Sequence, residues 1–173
     1  MELRKRSAVA VPVIAGAAVA VALGVYGRLH DPTGVAIDIA GFSSFQAVKS
    51  WLTTVAAVLA LLQLVSAVAL YRGRPQLAPV HRWSGRAAVL VTLPVVAHCL
   101  YALGFQYGQP RVLVHSLLGC FFYGAFVVKM LGLTRKGTPP WFLPVAGGAV
   151  FTGLIGLWLT SALWFFTTFG VIR

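Results

Sequence analysis

The sequence predicts an all-α fold: a polytopic transmembrane bundle of five helices, read as a single domain over residues 1–173. Three observations carry this. Of its 173 residues 59% are hydrophobic and only 10% are charged, where a soluble domain carries about 25% charged residues. The mean hydropathy is +0.87. Runs that approach or exceed the roughly 18–20 apolar residues needed to cross a bilayer recur along the chain, separated by short segments rich in Pro, Gly and Arg. A chain of this length has no room for a separate soluble domain beside such a bundle.

The first span is placed at about 8–27, after the basic MELRKR. Its apolar stretch is long for a signal peptide and no convincing cleavage site follows, so it reads as an uncleaved helix. HDPTG (30–34) ends it. The second span, about 49–71, carries Ala56, Ala57, Ala60 and Ala67, small residues that let helices approach closely in lipid. RGRPQLAP (72–79) breaks the chain before a third span at about 84–106. YGQPR (107–111) is a tight turn into the fourth, about 111–133. TRKGTPP (134–140) stops that helix and starts the fifth, about 141–168, which carries Gly147, Gly148, Gly153 and Gly156. Trp51, Trp83, Trp141, Trp158 and Trp164 lie mostly near span ends, as interfacial anchors do. Gln63 and Ser66 in the second span, and Thr160 and Ser161 in the fifth, read as packing residues able to hydrogen-bond across helices.

The formal net charge is +11. It speaks for membrane topology and lipid headgroups rather than nucleic acid, because the basic residues flank the apolar runs. Arg4, Lys5 and Arg6, then Arg72, Arg74, Arg82 and Arg86, then Arg135 and Lys136 must share one side of the membrane. The positive-inside rule makes that side the cytoplasm. Arg28, Asp31 and Asp38 in the first loop, Arg111 in the third and Arg173 at the tail then lie outside. The expectation is N-terminus in, C-terminus out. Ten of the fourteen basic residues are Arg, and Ala, Val and Gly abound, a composition that points to a GC-rich bacterial genome and so to a bacterial plasma membrane.

His98 and His115 are the residues most telling of function. Each stands inside an apolar run, AAVLVTLPVVAHCLYALGF and VLVHSLLGCFFYGAFVVKML, and a short turn joins the two. An ionisable residue within the membrane is expensive and marks a functional site by default. Their depths below the outer ends of their spans, about 10 Å and about 6 Å at 1.5 Å per residue, are compatible with one iron between them. Gly119, one turn after His115 on the same face, leaves room for a flat macrocycle. Arg111 near the outer end could pair with a propionate. Bonding of the two histidines within the bundle, to carbonyls, Ser116 or Thr92, is the alternative. Another metal would want more His, Cys or carboxylate ligands.

The other polar residues bear on function less directly. His81 repeats the spacing with Gly85, in HRWSG. It lies 17 residues before His98 and about 100° around the helix from it, so it cannot share that iron. Its two readings are an interfacial histidine and a cytoplasmic-side haem or substrate role. Lys129 reads as a lysine that snorkels to the headgroups or meets a propionate or quinone-like substrate. His30, beside Asp31, reads as solvated. Cys99 and Cys120 read as small packing residues, and without CxxCH there is no covalent haem attachment.

PVHRWSGR (79–86) and LVHSLLGCFFYGAFVVKM (113–130) resemble motifs of the cytochrome b561 and ferric-reductase-like transmembrane superfamily. The five-span layout resembles that of small bacterial five-helix membrane proteins related to it. The resemblance covers chiefly spans three and four. It implies non-covalent haem b held between helices by paired histidines, with electrons passing from ascorbate or a quinol to an acceptor. His81 and His115 match the motif histidines; His98 has no short motif of its own. A two-haem member needs four core histidines on four helices, and spans two and five here contain none, so one haem near the outer surface is expected.

The sequence thus predicts a membrane b-type haem protein that transfers electrons, a membrane oxidoreductase or an electron-transfer subunit. His98 and His115 would be its metal ligands, and His81, Gly119 and Arg111 would line the cofactor. A membrane quinol or an extracytoplasmic redox protein would be its partner. The alternative is a non-catalytic membrane subunit or scaffold of the same fold without a cofactor. A small transporter is disfavoured by the lack of acidic residues inside the spans.

Overall fold

Each of the five apolar runs forms a helix. The computed structural model of the chain describes residues 2–34 and 41–171, with side chains from residue 7 onward, and among them there is no strand. The segments long and apolar enough to cross a membrane are Ser7–Leu29, Phe45–Tyr71, Pro75–Leu103, Pro110–Thr134 and Phe142–Phe169. The protein is therefore a multi-pass membrane protein with an all-helical fold. Asp38, Arg173 and the side chains of Arg4, Lys5 and Arg6, which bear on orientation, lie outside the described residues.

The helices are α1 (Glu2–Leu29), α2 (Phe45–Tyr71), α3 (Ala78–His98), α4 (Pro110–Thr134), α5 (Phe142–Trp158) and the short α6 (Trp164–Phe169). A 3₁₀ turn, Pro75–Leu77, leads into α3, and a π turn, Cys99–Leu103, follows it; a second π turn, Leu159–Leu163, joins α5 to α6.

The third span starts nine residues before its expected position at 84. Pro75 opens the 3₁₀ turn and Pro79 stands in the first turn of α3. A proline there breaks nothing, since the N–H it lacks has no helical partner to lose. The HRWSGR stretch is consequently helix. The second span also begins earlier, at Phe45, where Ser44 caps it by accepting from the Ala47 N–H at 3.2 Å.

The chain divides into two compact units. One holds α1, α4 and the first part of α5, up to Gly153. Its helices meet through glycine. A Cβ added at Gly124 would stand 2.7 Å from the Gly16 carbonyl oxygen and 3.0 Å from the Ala20 Cβ, so α1 and α4 touch backbone to backbone. Farther along, Cys120 Sγ lies 3.7 Å from where a Gly24 Cβ would be, which makes this thiol a packing group. Gly153 gives α5 its approach to Phe121 and Phe122.

The second unit runs from Pro32 to Leu103 and resumes at Leu154. Its core is small and polar-edged: Ala47, Ala56, Ala57 and Ala60 are buried, as are Ser50, Thr53 and Ser66. Large side chains point outward, such as Val65 (65% exposed) and Leu90 (64% exposed). That is the inverse of a soluble protein, and it is expected where lipid replaces water and close packing replaces hydrophobic burial as the force between helices. Trp158 Nε1 donates to Thr54 Oγ1 at 3.0 Å and Trp51 meets Phe166 edge to face at 5.3 Å, which fastens the end of the last span to α2. Trp158 is therefore a mid-span bridge and not an interfacial anchor. Thr160 and Ser161 donate back to Gly156 and Leu157 of their own helix.

Candidate functional site

Phe45 and Lys49 are one turn apart at the start of α2, and so share a face. The end of α3 is irregular just where it meets them. Pro94 sits inside the helix and can neither donate to the carbonyl four residues back nor pack against it. The π turn then widens the backbone immediately after His98, a feature that recurs at functional sites. The carbonyls of Tyr101 and Ala102 accept from the Thr33 and Gly34 N–H groups at 3.3 and 3.2 Å, so the first loop pins the wide turn.

His98 is the last residue of α3. Its ring lies 5.1 Å from that of Phe45, tilted by 47°. It is 6% exposed, and among the described residues neither Nδ1 nor Nε2 has a hydrogen-bond partner, though both are sealed off. A neutral imidazole carries one donor and one acceptor, and each left unmet when buried costs about 1–3 kcal/mol. Thr92 donates to the Val89 carbonyl at 2.8 Å, and the alternative of internal hydrogen bonding is not realised for His98 among the described residues. Among the described residues Ser50 Oγ is the other unpartnered buried atom. A hydroxyl in a helix can turn to the carbonyl four residues back, an option that an imidazole lacks.

His81, toward the other end of the same helix, is the opposite case. Its Nδ1 lies 2.9 Å from Ser66 Oγ. Gln63 Nε2 reaches across from α2 to the His81 carbonyl and to Ser84 Oγ, the latter at 2.7 Å. Ser66 donates to the Leu62 carbonyl at 2.7 Å. Gly85 supplies the space: a Cβ there would lie 3.0 Å from Gln63 Oε1. The His-to-Gly spacing at 81–85 thus seats a glutamine.

His115 and Gly119 belong to the other unit, on α4. His115 is half-buried and already has an interaction within the protein. Ser116 is occupied, donating to the Gln106 carbonyl at 3.1 Å and accepting from the Gln106 N–H at 3.3 Å. Around Gly119 a Cβ would meet nothing within 4 Å, so this second His-to-Gly spacing does leave open space. His98 and His115 each stand five residues inside the end of their own span. Arg111 is half-buried and not a free cation. Lys129 is half-buried near the far end of α4. His30 stacks on Tyr26 at 5.1 Å, an ordinary structural contact. Cys99 and Cys120 are free thiols. Among the described residues no three His, Cys, Asp or Glu gather as a metal cluster would require; a pair of histidines on a haem is not such a cluster.

Residues 9–173 match the model of a family of unknown function, DUF6529. The chain belongs to this family. No curated protein and no solved structure matches it. The family match takes in the first span from residue 9 onward and the other four whole, and with them His81, His98 and His115.

Sequence reasoning missed Lys49. Its ammonium lies 5.9 Å from the centre of the Phe45 ring, the same ring that packs on His98. The available signal was a cation four residues after an aromatic at the start of an apolar helix. It is a weak one, because lysines near span ends usually reach for headgroups.

Proposed function

We propose that the protein is a membrane electron-transfer protein that holds one non-covalent haem b through His98 and His115. The observation that carries the reading is the His98 imidazole, buried with both nitrogens unpartnered. An intramembrane imidazole is a haem ligand in kind, and bonding iron answers the demand of one nitrogen. Further support comes from the open space beside Gly119, one turn from His115, and from the position of each histidine five residues inside its span. The motifs at 79–86 and 113–130 support kinship with the cytochrome b561 and ferric-reductase-like superfamily.

When bound, the haem would supply a one-electron ferric–ferrous couple. The protein's part is to hold it. Held by two histidines, the haem would serve electron transfer rather than oxygen chemistry. Phe45, packed at a tilt against the His98 ring, would help to hold its plane. The wide turn after His98, pinned by Thr33 and Gly34, holds the ligand-bearing end of α3 in place. Positive-inside counting puts this end on the outer face of a bacterial plasma membrane, with the N-terminus in the cytoplasm. A membrane quinol or an extracytoplasmic redox protein is then the natural partner.

The test is the spectrum of the purified protein, oxidised and dithionite-reduced, after expression with ample haem. A sharp reduced α-band that disappears in both His98→Ala and His115→Ala is the expected result. A colourless wild-type protein would end the haem reading and leave a cofactor-free membrane subunit in its place.

A further inference from the structure

Lys49 extends the haem reading, and the role assigned to it here rests on that reading. The lysine sits in the second span, one turn from its start, with its ammonium 5.9 Å from the Phe45 ring centre. That ring lies 5.1 Å from the imidazole of His98. A single aromatic side chain therefore touches both an unpartnered buried imidazole and a cation. The sequence holds only three acidic residues, Glu2, Asp31 and Asp38, none of them within a span, and no carboxylate pairs with Lys49 among the described residues. A lysine this near a helix end can reach for headgroups, but that habit does not account for its place over the ring that packs on His98. A cation in such surroundings is best answered by an anion, and a ligand held at His98 can supply one.

We propose that Lys49 binds a carboxylate of the ligand held at His98, which for haem b is a propionate. This places the acidic edge of the macrocycle at the Phe45 end of α2, beside the membrane surface. It also assigns the propionate partner to the unit that contains His98, in preference to Arg111. Lys49 acts as a binding residue and takes no part in the electron-transfer step itself.

The test compares two ligands on the full chain in detergent, stripped of haem and titrated with either protohaem IX or its dimethyl ester, whose propionates carry no charge. Wild-type protein should bind the ester about tenfold more weakly than protohaem, the size expected for one hydrogen bond to a charged group. In Lys49→Gln, protohaem should weaken by about the same factor and the ester should lose nothing more, because the two changes remove one interaction. Lys49→Arg should keep the preference for protohaem and serves as the variant that preserves charge should Lys49→Gln fail to fold. A Lys49→Gln protein that still prefers protohaem tenfold overturns the proposal while leaving the haem reading intact. So does loss of the preference in Lys49→Arg together with unaltered binding in Lys49→Gln. A wild-type protein that binds neither ligand overturns both.

Discussion

At one end of the α2–α3 pair, His81 Nδ1 lies 2.9 Å from Ser66 Oγ, and Gln63 bonds its carbonyl and Ser84 from across the interface. At the other end, His98 is sealed by Phe45 with both nitrogens unmet. The two histidines share a helix and a facing helix. What differs is the set of α2 residues opposite them: a glutamine and a serine in one case, a phenylalanine and a lysine in the other. A histidine in the membrane is thus not by itself a sign of a site, because α2 can supply it with bonds. The sign is a histidine that its neighbours have left unanswered.

The largest effect should come from removing the imidazoles one at a time. His98→Ala should abolish the reduced α-band, whereas His81→Ala should retain it. Without cofactor the order reverses. His98→Leu replaces two unmet polar atoms with an apolar group and should leave the thermal midpoint in detergent unchanged or raised. His81→Leu strips a partner from Ser66 and should lower it. Equal loss of midpoint in both would mean that the two ends are not different in kind.

The two His-to-Gly spacings sharpen the same contrast. At Gly85 the added Cβ would stand 3.0 to 3.2 Å from the end of Gln63, and that end cannot swing away without losing its bonds to His81 and Ser84. Gly85→Ala should therefore cost about 1–3 kcal/mol, as overpacking does. Gly119→Ala meets open space, and helix propensity should favour it by up to about 1 kcal/mol. A larger side chain there, in Gly119→Leu, should lower haem content without loss of fold. Thermal melts of the two alanine variants, with haem content of the leucine one, check this.

The spans were legible in the sequence because a bilayer imposes length and hydropathy on every crossing segment. His98 and His115 were legible because polar residues in such runs are rare. The start of the third span was not, since Pro75 and Pro79 look like breakers and become helix starters only when they fall in the first turn. Periodicity could not tell Gly85 from Gly119 either: a glycine one turn from a histidine can admit a macrocycle, a glutamine or lipid, and only the facing helix decides. The same holds for the missing hydrogen-bond partner of His98 among the described residues, which belongs to the packed pair of helices and to neither segment of sequence alone.

Smaller effects test how the His81 end is held. Gln63→Leu removes both bonds that Gln63 Nε2 makes across the interface and should cost about 1 kcal/mol, since hydrogen bonds between helices in lipid average roughly 0.6 kcal/mol each. Ser84 would be spared, because its hydroxyl also donates to the Val80 carbonyl at 2.7 Å.

Ser66→Ala should be the mildest change, at about 0.6 kcal/mol. The serine hydroxyl donates within its own helix to Leu62, so α2 loses little by its removal. What changes is His81, whose Nδ1 loses its serine partner. The variant therefore gives the first end one feature of the second, while Gln63 still ties the backbone of α3 in place. A midpoint shift as large as that of Gln63→Leu would show that the ring of His81, and not its carbonyl, carries most of the lock between the two helices.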